Sequence, residues 1–147
     1  MFEESSYREI RKRVELLKPD AKALWGTMDV AQMLAHCSAA AEMVLGKTPF
    51  VDKSTFISRT VIRWIVLSSV RKGDFGRDKP TLQELKIEGP RNFEIERPKL
   101  LSNLDEVFYT GTRAQIGSHP YFGKLSNKEW GTLLYVHFNH HLNQFSA

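Results

Sequence analysis

A chain of 147 residues has room for one domain with a sizeable core and is too short for two ordinary ones, so a single domain over 1–147 is expected. With 41% hydrophobic and 11% aromatic residues and a net charge of only +4, it lacks the depleted apolar content and high charge of a disordered chain. The single cysteine, Cys37, excludes an internal disulfide framework, and no stretch approaches the run of about 18 apolar residues that a membrane-spanning helix needs.

The opening MFEESSYREIRKR is charged where a secretory signal would be apolar, and a reducing compartment suits one thiol, so the expected location is the cytoplasm, with no membrane partner. Basic and acidic residues interleave. The compact basic groups, Arg8, Arg11, Lys12 and Arg13, then Arg71 and Lys72, come without an aromatic stacking platform and read as solvated faces. No specific nucleic-acid partner is expected.

Ser6 followed by Glu9 has the form of a capping box, and Ile10, Val14, Leu16 and Leu17 make an amphipathic helix over about 6–17. Lys18-Pro19-Asp20 breaks it. A second helix, with Thr27 as its expected cap, carries the apolar stripe Val30, Met33, Leu34, Cys37, Ala40, Ala41 and Val44 and stops at Gly46. His36 sits at the edge of that stripe, while Cys37 turns to its centre as a small core residue rather than a thiolate ligand.

After a connector, Ser54 or Asp52 is the expected cap of a third helix in which Phe56, Thr60, Val61, Trp64, Ile65 and Leu67 recur at helical spacing and read as ordinary core. Residues 71–89 are rich in charge, glycine and proline, and Thr81 with Glu84 caps at most a short helix around Leu82 and Leu85. Gly73-Asp74-Phe75-Gly76 lacks the strand and helix context of a phosphate-binding loop and reads as a turn. Pro98 suits the first turn of a fourth helix, an earlier start being the alternative; Leu101, Leu104, Val107 and Phe108 form its stripe, and it ends near Gly111 or Gly117. Strict alternation nowhere exceeds about four residues, so strands have no support and an antiparallel helical bundle is the economical way to bury these stripes. Alanine at Trp64 or Leu134 is then expected to cost roughly 2 to 5 kcal/mol.

The last twenty residues, SNKEWGTLLYVHFNHHLNQF, hold three of the five histidines. Ser126 and Glu129 have the spacing of a capping box, and Trp130, Leu134, His137, His141 and Phe145 fall on one helical stripe about 80° wide. His137 and His141, four apart, stand side by side, the spacing that lets one helix offer two ligands to one metal ion. Partly buried histidines with ordinary hydrogen-bond partners share that spacing, so a third ligand is what would decide. His36 from the second helix is the candidate, because bundle cores assemble metal sites from facing helices. Three neutral imidazoles suit zinc, nickel, iron or copper and leave a coordination position open for water or substrate. Ring nitrogens more than about 5 Å apart would contradict the arrangement, given metal–nitrogen bonds of about 2.0 to 2.2 Å.

Trp25, then Leu34-Ala35-His36 on one helix, and His137-x-x-x-His141-x-x-Gln144 on the last resemble the DinB/YfiT-like superfamily of bacterial metalloenzymes, which are four-helix bundles. HPYFGKLSNKEWGTLLYVHFNHHLNQF and LWGTMDVAQMLAHC are similar to a branch of it catalogued as a domain of unknown function, over about residues 24–46 and 118–145. The resemblance implies an all-α four-helix bundle with an extra short helix or loop between helices 3 and 4, and His36, His137 and His141 as ligands of a divalent transition metal, zinc or nickel first. It implies Gln144 as a residue orienting a ligand or bound water; His140 lines the site mouth and His119 shapes its loop in this reading. A small-thiol-dependent S-transferase follows as the expected activity, with a metal-dependent hydrolase using metal-bound hydroxide, or a non-catalytic stress-response binding protein, as alternatives. The expected partners are a small-molecule substrate, a low-molecular-weight thiol among them, and a second copy of the chain through a face the sequence does not identify.

Overall fold

The last helix of this chain begins where a side chain can answer its first unpaired amides, as the spacing predicts. Ser126 accepts from the Glu129 amide while the Glu129 carboxylate accepts from the Ser126 amide. In the computed structural model, which describes residues 1–48, 53–71, 83–111 and 118–147, there are five α-helices and, among the described residues, no strand. They are α1 (Glu4–Leu16), α2 (Val30–Val44), α3 (Arg63–Arg71), α4 (Phe93–Gly111) and α5 (Asn127–Gln144). A π-helical stretch, Ser58–Ile62, runs into α3, and a single 3-10 turn, Gln83–Leu85, stands before α4. An isolated antiparallel bridge joins His119 and Gly123. No helix among the described residues is long and apolar enough to cross a membrane.

Several boundaries differ from expectation for local reasons. α1 starts at Glu4, ahead of Ser6, and its cap position, Glu3, makes no side-chain cap bond. Asp29 rather than Thr27 caps α2, because its carboxylate accepts from Gln32 N at 2.8 Å and Gln32 Oε1 accepts in return from Asp29 N at 3.0 Å. Ser54 does not cap the third helical segment. Thr55 does, through the Ser58 amide, while Ser54 Oγ accepts from Arg59 Nε. α4 begins at Phe93, five residues before Pro98, since Asn92 Oδ1 accepts from Glu94 N at 2.9 Å. Pro98 is therefore inside the helix, at its sixth residue, where it removes the ladder bond to the Glu94 carbonyl and crowds that carbonyl with its ring. Asp52, Lys72, the Gly73-Asp74-Phe75-Gly76 turn, Thr81, Leu82 and Gly117 lie outside the described residues.

α2 is the central element. Its whole expected stripe is buried, and it packs most extensively against α4, then α5. Ile10, Val14 and Leu17 of the first segment enter the same core. Leu16 does not: it lies about 200° round the helix from Val14 and is exposed. The basic face of α1 is tied to its neighbours. Arg11 Nε donates to Asp105 Oδ1 on α4 at 3.0 Å, and Arg13 donates to Asn139 Oδ1 at 2.6 Å and Asn143 Oδ1 at 2.7 Å on α5.

α3 is the largest departure. Phe56, Val61, Trp64 and Ile65, read as core from their spacing, are exposed, Trp64 by 70%, and only Leu67 of that stripe is buried. The inward positions are instead Ser58, Leu67 and Val70, with Arg63 reaching Glu129 at 2.8 Å. The i→i+5 turn at Ser58–Ile62 takes up an extra residue, and a register based on 3.6 residues per turn does not carry across it. Periodicity reports that one face is apolar; it does not report what that face meets.

Candidate metal centre

The pairing of α2 with α5 brings the histidine of one against the histidine pair of the other. Ring centroids are 4.9 Å apart for His36 and His137, 4.7 Å for His36 and His141, and 4.8 Å for His137 and His141, a nearly equilateral triangle. One ring nitrogen from each lies within 4.8 Å of the other two. His36 and His137 are buried, and His141, partly covered as a residue, turns its ring to the same place.

Hydrogen bonds fix which nitrogen two of the rings can offer. His36 Nδ1 is 2.8 Å from the Leu85 carbonyl oxygen, which can only accept, so Nδ1 carries the proton and Nε2 keeps a lone pair. On α5, Gln144 Nε2 donates to the Trp25 carbonyl at 2.6 Å, which sets the amide so that Oε1 accepts from His141 Nδ1 at 3.0 Å. His141 Nε2 is thereby the nitrogen left for a ligand bond. His137 Nε2 is itself buried. Such outer partners orient a metal-ligating imidazole and raise its basicity.

The Gln144 link is built into the backbone. Leu24 N donates to the Gln144 carbonyl at 2.8 Å, which clamps the 24–26 loop onto the end of α5. Gly26 has φ +79°, and a Cβ there would stand 2.6 Å from Gln144 Nε2, so both the left-handed turn and the close approach require glycine.

Burial holds all three rings neutral. It is the main cause that lowers His141 to about 3, with His36 nearby adding to it and the Gln144 bond opposing. His137 lies well below the usual histidine value for the same reason, and His36 is lowered by burial against the opposing effect of its bond to Leu85. Neutral imidazole is the form a metal ion needs. The residues present fit a transition-metal ion, and three nitrogens leave room for a further ligand.

The other candidates are placed apart from the triangle. His140 sets its ring edge-on to Trp25 at 5.6 Å and to His141 at 5.1 Å, at the margin of the group. His119 is buried, stacked on Phe122 at 4.3 Å, and its Nδ1 accepts from the Tyr121 and Phe122 amides at 3.1 and 3.2 Å, which ties its own loop. Burial lowers it to about 4. Cys37 faces the core, 3.7 Å from Met33 Sδ, its thiol pushed well up by burial. Sequence reasoning missed the Leu85 carbonyl as a partner of His36. A backbone oxygen leaves no side-chain signature, and the turn that aims it is only three residues long.

A family model described as "Protein of unknown function (DUF1569)" matches residues 3–147. The chain belongs to that family. Neither the curated proteins nor the solved structures contain a match.

Proposed function

We propose that the protein is a DinB/YfiT-like metalloenzyme in which ring nitrogens of His36, His137 and His141 hold one divalent transition-metal ion, zinc or nickel, and a small thiol is the co-substrate. One observation carries this reading: three neutral histidines converge within 4.8 Å, two of them with Nδ1 committed to fixed acceptors. The bundle in this reading is four-helix, with the 3-10 turn between α3 and α4 as the inserted element that supplies the Leu85 carbonyl. A buried free thiol at Cys37 suits a cytoplasmic protein.

A divalent ion lowers the pKa of a thiol that joins it, whereas a free thiol of pKa about 8.5 is only a few per cent ionised at neutral pH. The chain's own contribution is positional. Leu85 and Gln144 hold two rings in one tautomer, and Trp25 fixes Gln144. His140 places a polar ring beside Trp25 at the margin, where a substrate would meet the group.

Metal analysis of the purified protein, followed by assay of the loaded protein with chlorodinitrobenzene-type electrophiles and activated esters, with several thiols and with none, tests the reading. Thiol-dependent consumption of the electrophile that is lost in His137→Ala is the expected result. Thiol-independent ester cleavage lost in the same variant would assign hydrolysis instead, and an ion whose coordination positions are all filled by protein atoms would leave a binding protein.

A further inference from the structure

Nine large hydrophobic side chains are exposed among the described residues, and five of them fall between residues 56 and 65. They are Phe56 at 83%, Ile57 at 61%, Val61 at 54%, Trp64 at 70% and Ile65 at 52%. The remaining four, Leu16, Leu24, Ile95 and Tyr109, are scattered over other elements and need no explanation. Taking about 200 Å² for a large side chain, the five together expose on the order of 600 Å². That is at the upper end of the largest apolar patch on an ordinary monomer, about 300–600 Å².

Charge indicates what the patch meets. Residues 53–71 contain Lys53, Arg59, Arg63 and Arg71 and no acid. The two cations in the middle of the segment turn back onto their own chain. Arg63 pairs with Glu129 at the start of α5 at 2.8 Å, and Arg59 donates to Ser54 Oγ at 2.6 Å while its side chain lies over Gly123. The Thr60 hydroxyl, on the same outward side, donates to its own helix at Phe56 O, 2.7 Å away. The five exposed side chains therefore form an apolar centre with the exposed Arg59 held against its own chain, and an apolar centre poor in charge marks the core of homodimer interfaces. An anionic lipid surface or an acidic protein would engage cations that reach out beside the apolar stripe, whereas Arg63 is committed to Glu129 and Arg59, though exposed, is bonded to Ser54 of its own chain.

We propose that this face is where a second copy of the chain docks, the two 56–65 segments meeting across a twofold axis so that the same residues serve both sides. An isologous contact needs a self-complementary surface, and an uncharged apolar stripe on a helix is one. A stable interface buries about 800 Å² per partner, and the five side chains with their immediate rim supply most of it.

Sedimentation equilibrium of the full chain tests this, with a mass of two 16.9 kDa chains expected and dissociation at about 1 μM or below. Trp64→Glu and, separately, Ile57→Glu place a carboxylate in the centre of the contact. Each is expected to weaken association by about 30-fold or more while leaving the far-ultraviolet circular dichroism unchanged. A single-chain mass at about 100 μM overturns the proposal. So does a dimer that survives both substitutions, since another face would then hold it. Wild-type monomer that binds anionic phosphatidylserine vesicles, with binding lost in Trp64→Glu, would assign the face to a membrane and overturn it as well.

Discussion

α2 and the 56–65 segment carry stripes of similar apolar spacing, and the fold treats them in opposite ways. Met33, Leu34 and Ala41 on α2 are fully buried against α4 and α5, while Phe56 and Trp64 face outward. A helical period establishes that one face is apolar and leaves open what covers it. On α2 the covering is intramolecular and surrounds His36, which is why a polar ring there becomes a buried, neutral one. Along residues 56–71 the buried positions are Ser58, Leu67 and Val70, and the apolar stripe of 56–65 stays exposed.

The sharpest way to break this contrast is to truncate both sides. Trp130→Ala or Leu134→Ala, at fully buried positions of α5, is expected to cost about 3 to 5 and 2 to 5 kcal/mol respectively in denaturant unfolding. Trp64→Ala, at concentrations where the chain is monomeric, is expected to cost no more than about 0.5 kcal/mol. Equal losses at Trp64 and Trp130 would mean that the segment is part of the core.

His119 gives the next largest effect. Its folded value of about 4 lies below the unfolded 6.5, so the unfolded chain takes up the proton first as pH falls. The contribution is fully present above about pH 6.5 and is lost between there and pH 4, amounting to about 3 kcal/mol. His119→Gln, which keeps an acceptor for the two amides, is expected to flatten that part of the stability curve relative to wild type. An unchanged pH profile would show that His119 is not held neutral by burial.

Around the triangle the effects are smaller and read on metal affinity. Gln144→Leu removes the acceptor of His141 Nδ1 and is expected to weaken binding about 10- to 100-fold, measured by competition with a chromophoric chelator. Gly26→Ala strains a left-handed turn and pushes on the Gln144 amide, so a loss of about 1 kcal/mol in stability together with weaker metal binding is expected. If Gly26→Ala lowered stability and left affinity unchanged, the Trp25–Gln144–His141 chain would not be what positions the ring.

What is legible in the amino-acid sequence follows the same division. The Ser126–Glu129 box, the α2 stripe and the four-residue spacing of His137 and His141 are local, and all three stand in the fold as read. Cap choice is less legible where several acceptors crowd together: Thr27 and Asp29 both precede α2, and only Asp29 has Gln32 three residues on to complete a box. Asn92 is hard to recognise as the start of α4 because Pro98 offers a stronger conventional signal five residues into the helix. The π turn, the Leu85 carbonyl and the outward turn of Trp64 depend on backbone and tertiary geometry that no side-chain pattern records.

Metal stoichiometry across three histidine variants tests the central claim most directly. Wild-type protein titrated with zinc or nickel is expected to bind one ion per chain tightly, His141→Ala and His36→Ala to lose that binding, and His140→Ala, whose ring sits against Trp25 at the margin, to keep most of it. Wild-type chain that binds no ion, or His141→Ala that binds as tightly as wild type, would contradict the assignment of His36, His137 and His141 as one metal centre.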